Sequence, residues 1–219
     1  IANPIWYHTM TAFRNGLLDE QPISLTVNGR GLVTVMMLKE MTEEFAAGYL
    51  TTEGIVPYAE IESVMQNSAG VSVLTKNPFK VLLPKKSVIS GCGGTASYLD
   101  PEKLPVLDKS IPVPPEICSL DFRGDIIRAG GFGAKALKNG KIAASAEDIG
   151  QYTALDKVVG RLLMDNIPPE ETAILISGKV TADLVRKCLH ARISVLASKY
   201  PPTSLAYDAA KAGKLTLVY

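Results

Sequence analysis

Apolar and polar residues alternate near the start of the chain with the period of two that is typical of β-strands. Ile23, Leu25 and Val27 are apolar members of the first run, which ends at an Asn-Gly pair at 28–29. Such a pair between two alternating runs favours a tight turn with positive φ angles. Because apolar residues resume directly afterwards, residues 22–37 are predicted to form a β-hairpin.

A helix is predicted to follow this hairpin. Thr42 is a suitable N-cap, the two residues after it that open the helix are acidic, and Gly54 lies where the helix would end. Short apolar runs at 71–74 and 81–83 predict two further strands. Residues 1–88 are therefore predicted to form a small N-terminal domain of mixed α+β structure.

The pattern changes after residue 116 to strands that alternate with helices. Strands are predicted at 142–146, 173–176, 193–197 and 215–218, and helices at 150–164, 180–190 and 203–212. Short, continuously apolar strands between helices indicate a sheet that is covered on both faces. Residues 116–219 are thus predicted to form a three-layer α/β domain. Residues 89–115, which include the Pro-rich stretch 105–115, are predicted to link the two domains.

The helix predicted at 150–164 has two faces of different character. One face carries apolar residues at helical spacing and is expected to pack on the core: Tyr152, Leu155, Val159 and Leu162. The other face carries Thr153, Asp156, Lys157 and Gly160. Because Asp156 and Lys157 are adjacent in sequence, they are not spaced as a surface ion pair along one helix.

Composition narrows the classes of function. The 219 residues include 23 Lys and Arg against 22 Asp and Glu, so no net positive charge attracts nucleic acid or an anionic membrane. No apolar run is long enough for a membrane span. The three cysteines form no C-x-x-C pair, which argues against a disulfide framework and favours a reducing, cytoplasmic location.

Cys92 is the strongest candidate for chemistry. It lies between Gly91 and Gly93, whereas a cysteine that serves packing is usually surrounded by bulky apolar residues. Glycines on both sides leave the sulfur accessible and allow backbone N–H groups to point at a thiolate or persulfide. The pattern predicts an exposed nucleophilic loop. The alternative is an ordinary glycine-rich turn that happens to contain a cysteine.

Four segments carry glycine or a small polar residue where a strand is predicted to lead into a helix: 129–133, 147–150, 177–179 and 201–203. In open α/β sheets such turns meet at one edge, where helix N-termini favour anions. The four segments are therefore expected to converge on a cleft for a phosphorylated ligand. Lys179 is the only cation within these turns, and it could equally be a solvated surface lysine.

Other nucleophilic and metal-binding arrangements are not supported. His8 lies near the start of the chain and His190 at the end of a predicted helix, so neither is placed as a general base beside Cys92. The zinc deaminase signature, H-x-E with P-C-x-x-C, is missing, and no zinc is expected. Cys118 and Cys188 have apolar or helical surroundings and are interpreted as structural.

The order of motifs resembles that of the formate dehydrogenase accessory sulfurtransferase family, FdhD. The segments EQPISLTVNG at 20–29 and EFAAGYLTTEGI at 44–55 are similar to the family's E-x-P-L-x-I-x-V-N-G and E-L-A-x-G-F-L-x-S-E-G-I stretches. Five later segments follow in the family's order and approximate spacing, at 147–150, 154–160, 177–179, 202–203 and 215–218. The resemblance covers nearly the whole chain.

The resemblance implies a C-terminal domain similar to cytidine deaminase but without zinc, and a homodimer. It further implies that a cysteine desulfurase supplies sulfur as a persulfide, which is passed to the molybdenum bis-guanine dinucleotide cofactor needed by formate dehydrogenase. Cys92 matches the first cysteine of the family's C-G-x-C-G loop and would carry the persulfide. The residues implied in binding the cofactor are Gly130, Gly131, Glu147, Asp148, Asp156, Lys157, Ser177, Gly178, Lys179, Pro202 and Thr203.

The chain departs from the family pattern at several positions. Thr95 replaces the second loop cysteine, Gly133 replaces a histidine, Lys179 replaces an arginine, and Gln-Tyr-Thr at 151–153 replaces Arg-His-Asn. A persulfide relay needs only one thiol, so Thr95 is compatible with sulfur transfer. A lysine lacks the bidentate fork of arginine, however. Two alternatives therefore remain: a chaperone of the same fold that binds the cofactor or a nucleotide without catalysis, and an unrelated thiol enzyme.

Overall fold

The computed structural model describes residues 12–68, 70–80, 87–90 and 103–219. The loop that contains Cys92, the strand predicted at 81–83 and His8 lie outside the described residues. Within the described part, no helix is long and apolar enough to cross a membrane.

A five-stranded sheet and one helix form the N-terminal part of the molecule. Its elements are β1 (Phe13–Arg14), β2 (Leu17–Leu18), β3 (Gln21–Val27), β4 (Arg30–Met37), α1 (Thr42–Thr52), β5 (Ile61–Asn67), β6 (Gly70–Thr75) and β7 (Ser87–Ser90). The strands of the sheet follow the order β5-β6-β3-β4-β7, while β1 and β2 pair separately. The strand predicted at 71–74 is therefore confirmed as β6.

The predicted hairpin is confirmed, with a two-residue loop between β3 and β4. Asn28 and Gly29 have φ angles of 50° and 75°, the positive values that a tight hairpin turn requires. The Asn28 amide also bonds to the neighbouring strand: its Nδ2 donates to Thr75 Oγ1 at 2.8 Å, and its Oδ1 accepts from the Thr75 N–H at 3.0 Å. The turn is thus fixed from within and by contact with β6.

Helix α1 begins at Thr42, one residue earlier than it would if Thr42 were the N-cap. Met41 is the N-cap, with a positive φ of 56°, and Thr42 is the first helical residue. The Thr42 side chain is buried in the first turn, so the predicted N-cap role is wrong. The helix ends at Thr52, and Gly54 follows with a φ of 68°, so the predicted end is confirmed.

The C-terminal part contains a second five-stranded sheet. Its elements are α2 (Asp125–Arg128), β8 (Phe132–Lys138), β9 (Lys141–Asp148), α3 (Gln151–Met164), β10 (Ala173–Ile176), α4 (Ala182–His190), β11 (Val195–Ala197), α5 (Ser204–Gly213) and β12 (Thr216–Val218). The order is β12-β11-β10-β8-β9. Strands β10, β11 and β12 are parallel, whereas β8 pairs antiparallel with β10 and with β9. All the elements predicted in this region are present.

Strand β8 was not predicted, and its presence changes the meaning of the glycine-rich segment 129–133. This segment leads from α2 into β8, so it joins a helix to a strand instead of opening a helix. Gly133, Ala134 and Ala136 within β8 have low intrinsic preference for strands. Pairing with β9 on one side and β10 on the other stabilises them in this conformation.

Both faces of the C-terminal sheet are covered, which confirms an α/β architecture. Helices α3, α4 and α5, here called the helix layer, share one apolar cluster with one face of the sheet. The opposite face is covered by a turn of 3-10 helix at Pro115–Cys118 and by extended chain around it. Ile111, Ile117 and Phe122 supply the apolar contacts on that side. The third layer therefore consists mainly of irregular chain.

Helix α1 lies between the N-terminal sheet and the helix layer. Phe45 and Leu50 pack into the core of the N-terminal sheet. On the other side, α1 and α3 approach so closely that a Cβ on Gly48 would lie 1.8 Å from the Asp156 carbonyl oxygen, and one on Gly160 would lie 1.8 Å from that of Glu44. The two helices therefore touch backbone to backbone, which only glycine permits.

Candidate functional site

A cleft of about 450 Å³ opens at the edge of the C-terminal sheet, where β10 ends. This volume is within the range of small-molecule sites, which is roughly 300–1,000 Å³. The cleft is lined by Ile127, Gly131, Phe132, Ser177, Gly178, Lys179 and Tyr200. Four of the predicted site residues, Gly131 and Ser177 to Lys179, therefore lie in one cleft.

The order of strands explains why these segments meet. Strand β10 lies between β8 and β11. Because β8 runs antiparallel to β10, with Ala134 opposite Ile176, the start of β8 lies beside the end of β10. Strand β11 is parallel to β10, with Ala197 opposite Leu175, so the residues after β11 lie on the other side. The loop 177–179 is thus flanked by Phe132 and by Tyr200.

Ser177 is held by hydrogen bonds to β8. Its N–H donates to the Gly133 carbonyl oxygen at 2.9 Å, and its Oγ accepts from the Gly133 N–H at 2.8 Å. Because Oγ is the acceptor in this contact, its own hydrogen remains for another acceptor, such as an anion in the cleft. Ser177 is therefore both a structural link and a potential donor to a ligand.

Gly178 lies in a crowded part of the cleft. A Cβ at this position would lie 2.5 Å from Gln151 Oε1 and 3.0 Å from the Phe132 ring. Its carbonyl oxygen accepts a hydrogen bond from Ser198 Oγ at 2.7 Å, and the same Oγ accepts from the Tyr200 N–H at 3.0 Å. The serine thereby connects the loop after β10 with the loop after β11.

Lys179 provides the charge in the cleft. It is exposed, and among the described residues that line the cleft it is the only cation. In the described part of the chain it makes no ion pair, so its charge is not neutralised by a carboxylate. A lysine at this position can act as a point charge toward an anionic ligand.

Gly130 and Glu147 shape the wall of the cleft without lining it. Gly130 has a φ of 93°, which strains any other residue. The Glu147 carboxylate accepts hydrogen bonds from the N–H groups of Gly124 and Ile127 at the start of α2. Burial raises the pKa of Glu147, against the lowering effects of Lys135 and these N–H groups. Glu147 thus holds the helix that brings Ile127 to the cleft.

Asp148 and Lys157 form a buried ion pair and are not in the cleft. Lys157 Nζ also donates to the Leu38 carbonyl oxygen at 3.1 Å, which ties α3 to the chain between β4 and α1. The side chains of this pair are fully occupied within the protein. In the structure this pair stabilises the protein interior, and contact of either residue with a cofactor stays a prediction.

Asp156 is likewise buried, in a group of side chains that we call the ion network: Thr52, Glu53, Asp156, Arg186 and Lys187. Lys187 Nζ lies 2.9 Å from Asp156 Oδ2 and 2.8 Å from Glu53 Oε1. Asp156 Oδ1 accepts from Thr52 Oγ1 at 2.6 Å. Asp156 thus joins α3 to α1 and α4, and its contact with a cofactor stays a prediction.

Pro202 and Thr203 lie beyond the cleft at the start of α5. Thr203 is the N-cap, as its Oγ1 accepts from the Ala206 N–H at 3.2 Å. Its own N–H donates to the Val180 carbonyl oxygen at 3.1 Å, which holds this turn against the loop that precedes α4. Pro202 is half-buried and does not line the cleft. Both residues therefore position neighbouring chain.

The cysteines separate into two environments. Cys188 is buried, and burial raises the pKa of its thiol to about 12, so its structural interpretation is confirmed. Cys118 is exposed, so its interpretation as a packed residue is wrong. It follows the buried Ile117 at the end of a single 3-10 turn on the sheet surface, where the side chain points away from the apolar layer.

Two residues of the cleft, Ile127 and Tyr200, lie outside the segments that the sequence predicted to form it, whereas Phe132 lies within the predicted segment 129–133. Ile127 could not be assigned because α2 was not predicted. Tyr200 had a detectable signal, since it is a large aromatic residue in a loop between a predicted strand and a predicted helix. Among the described residues, no group of His, Cys, Asp and Glu is placed to hold a metal ion.

Comparisons with known proteins agree on one family. The model of the FdhD/NarQ family matches residues 18–219. A protein from Streptomyces avermitilis named sulfur carrier protein FdhD is 32% identical over 92% of this chain and 82% of its own length. A protein of the same name from Listeria monocytogenes is 29% identical over 96% of this chain and 87% of its own.

A solved structure has the same overall arrangement. It is the crystal structure of a protein from Desulfotalea psychrophila assigned as a formate dehydrogenase accessory protein, with a TM-score of 0.69 and 26% identity. The similarity covers 93% of this chain and 84% of that one. From the match of sequence motifs, overall sequence and fold, we conclude that this chain belongs to the FdhD/NarQ family.

Proposed function

We propose that this protein is a sulfur carrier in the maturation of formate dehydrogenase. Sulfur is taken as a persulfide from a cysteine desulfurase onto Cys92 and passed to the molybdenum bis-guanine dinucleotide cofactor, which is the substrate. The observation that carries this proposal is the cleft at the end of β10, in a chain whose relatives are named sulfur carriers. A homodimer and a cytoplasmic location stay predictions from the sequence.

The cleft has the features needed to bind the phosphate groups of this substrate. Ser177 offers a hydroxyl donor, and Lys179 supplies positive charge. This loop leads into α4, a helix of nine residues, whose N-terminal end favours negative charge. A phosphate at the loop would therefore meet hydrogen-bond donors and a cation together.

The first transfer is an exchange between sulfur atoms. The Cys92 thiolate attacks the terminal sulfur of the desulfurase persulfide, and a new bond forms between Cys92 Sγ and that sulfur. The sulfur–sulfur bond of the donor breaks, and the donor cysteine leaves as a thiolate with the bonding electron pair. No external oxidant or reductant is needed at this step.

The second transfer requires two electrons, because the terminal sulfur of a persulfide must be reduced to sulfide before it replaces an oxo ligand. With Thr95 in place of the second loop cysteine, we propose that two molecules of a small thiol supply these electrons and form a disulfide. Cys92 returns to the thiol, the molybdenum centre gains sulfide, and its oxo ligand leaves as water. Atoms and electrons then balance.

The carrier role predicts a persulfide on one particular residue. After incubation with a cysteine desulfurase and cysteine, the protein is expected to gain the mass of one sulfur atom, and peptide mapping is expected to place it on Cys92. Cys118→Ala is the matched control, because Cys118 is exposed and should not be needed. Sulfur that remains after Cys92→Ala, or that maps to Cys118, would contradict the proposed carrier site.

The cleft predicts an effect of Lys179 on nucleotide binding. Lys179→Ala is expected to weaken binding of GDP by about tenfold, the loss expected for one exposed charge-assisted hydrogen bond. Calorimetric titration measures this effect. Lys199→Ala is the control, since Lys199 is also exposed but its Nζ lies 3.0 Å from Asp121 Oδ1 instead of in the cleft. Equal affinities of the two variants would place the nucleotide elsewhere.

A second function is a chaperone that binds the cofactor or a guanine nucleotide without transferring sulfur. One observation favours it: the described cleft is lined without any cysteine, so binding does not depend on a thiol in its walls. The departures at Thr95, Gly133 and Gln151 agree with this alternative. It differs from the carrier in the effect of removing Cys92, since a chaperone would tolerate the loss.

A further inference from the structure

We propose that Tyr200 holds a flat heteroaromatic ring of the ligand, a guanine or a pterin, by stacking against it in the cleft. This inference rests on the proposed function, because it assigns the part of the cofactor that Tyr200 contacts. It adds a residue that the family motifs in this chain do not include.

The position of Tyr200 follows from the sheet. The donor groups and the charge of the cleft lie in the loop 177–179, directly after the central strand β10. Tyr200 follows β11 on one side of this loop, and Phe132 begins β8 on the other. A ligand with its phosphate at the loop is therefore bordered on both sides by aromatic residues.

The residues that line the cleft are of two chemical kinds. Ile127, Phe132 and Tyr200 contribute apolar or aromatic side chains, whereas Lys179 is the only charged residue in the described part of the lining. Tyr200 is 53% exposed, so a large part of its side chain is accessible to a ligand in the cleft. Covering an aromatic face with a flat ring removes this surface from water and adds stacking attraction. Inorganic phosphate alone would gain nothing from these walls.

The backbone of Tyr200 is fixed before any ligand binds. Its N–H donates to Ser198 Oγ, which in turn donates to the Gly178 carbonyl oxygen, so the aromatic wall and the donor loop are joined through one buried serine. Pro201 and Pro202 follow, and their rings restrict the chain further. A ligand therefore meets a preorganised residue, which lowers the entropy cost of binding.

The test separates ring binding from phosphate binding. Calorimetric titrations use GDP, guanosine, pterin-6-carboxylate and pyrophosphate as probes, with Tyr200→Ala, Tyr200→Leu and Tyr200→Phe as variants. Loss of one stacking contact is worth about 1–3 kcal/mol, which is about five- to 150-fold in affinity. Alanine and leucine are expected to weaken GDP binding by a factor in this range and to leave pyrophosphate unchanged. Phenylalanine, which keeps the ring, is expected to bind like the wild type.

Matched controls make the result specific. Tyr207→Ala removes a tyrosine of similar exposure from α5 outside the cleft and should change no affinity. Lys179→Ala should show the opposite pattern to Tyr200→Ala, with pyrophosphate weakened and guanosine unchanged. Whichever of guanosine and pterin-6-carboxylate responds to Tyr200→Leu identifies the stacked ring.

Each contrary outcome has a distinct meaning. If Tyr200→Ala and Tyr200→Leu bind GDP like the wild type while Lys179→Ala binds it weakly, the stacking role is overturned and the cleft of the proposed function stands. If every Tyr200 variant weakens pyrophosphate as much as GDP, Tyr200 supports the loop and does not contact a ring. If the wild type binds none of the four probes, both the stacking role and the proposed cleft are overturned.

Discussion

Cys92→Ala is expected to abolish activation of a partner formate dehydrogenase while GDP affinity stays within about twofold of the wild type. The thiol supplies the atom that carries sulfur, and alanine cannot form a persulfide. The nucleotide, by contrast, would be held by the loop 177–179, whose contacts do not involve a cysteine. The experiment measures enzyme activity after maturation with each variant, and calorimetry measures GDP affinity on the same preparations.

Two further variants show whether the loss of activation is specific to Cys92. Cys118→Ala is expected to leave activation unchanged, because Cys118 is exposed on the opposite side of the sheet from the helix layer and has no assigned role. Lys179→Ala is expected to weaken both activation and GDP binding. If Cys92→Ala activates the partner enzyme as well as the wild type does, sulfur carriage is excluded and the chaperone function is favoured.

Most of the fold could be predicted because its signals are local. The hairpin follows from alternation around an Asn-Gly pair, and the strand at Ala173–Ile176 follows from four consecutive apolar residues that are all buried. Strand β5 could not be predicted in this way. A register shift between Ile61 and Ser63 interrupts the alternation on which the prediction depends.

The candidate site was only partly predictable. The loop 177–179 was found because a small residue and glycine after a buried strand mark a turn, whatever the tertiary structure. The family resemblance assigns Asp156 and Lys157 to the cofactor, whereas in the structure Asp156 bonds to Thr52 of α1 and Lys157 pairs with Asp148 of β9. Their partners include Lys187, 31 residues along the chain from Asp156, and sequence spacing does not reveal such contacts. A charged helix face therefore indicated a polar contact without identifying the partner.

The ion network makes Lys187 a sensitive position for stability. Burial disfavours the charged form of Lys187, but Asp156 and Glu53 together raise the pKa of the amine above its ordinary value. Its Nζ also lies 5.0 Å from the centre of the Tyr49 ring. Burial likewise disfavours the charged form of Glu53, yet Lys187 and Arg186 hold the pKa of this carboxyl well below its usual range. The network is therefore ionised and mutually satisfied in the folded protein.

Lys187→Met is expected to destabilise the protein by about 3–5 kcal/mol, because it leaves buried carboxylates without their cation. Chemical denaturation followed by circular dichroism measures this change in the free energy of unfolding. Lys138→Met is the matched control: Lys138 pairs with Glu171 at the surface, and loss of that pair is expected to cost about 0–1 kcal/mol. Similar losses for the two variants would contradict the importance of the buried network.

The pH dependence of the destabilisation by Lys187→Met shows which buried carboxylate causes it. Burial raises the pKa of Asp156 to about 6 in the folded protein, and the attraction of Lys187 opposes that rise, so removing Lys187 should raise the pKa further. A folded-state pKa above the unfolded value means that stability falls as pH rises through this window. Lys187→Met should therefore lower the free energy of unfolding more at pH 8, where Asp156 must be charged, than at pH 5, where it can hold a proton.

Asp156→Asn combined with Lys187→Met should remove this difference between the two pH values and recover part of the lost stability. A destabilisation that is equal at both pH values would show that Lys187 contributes through packing and not through its charge.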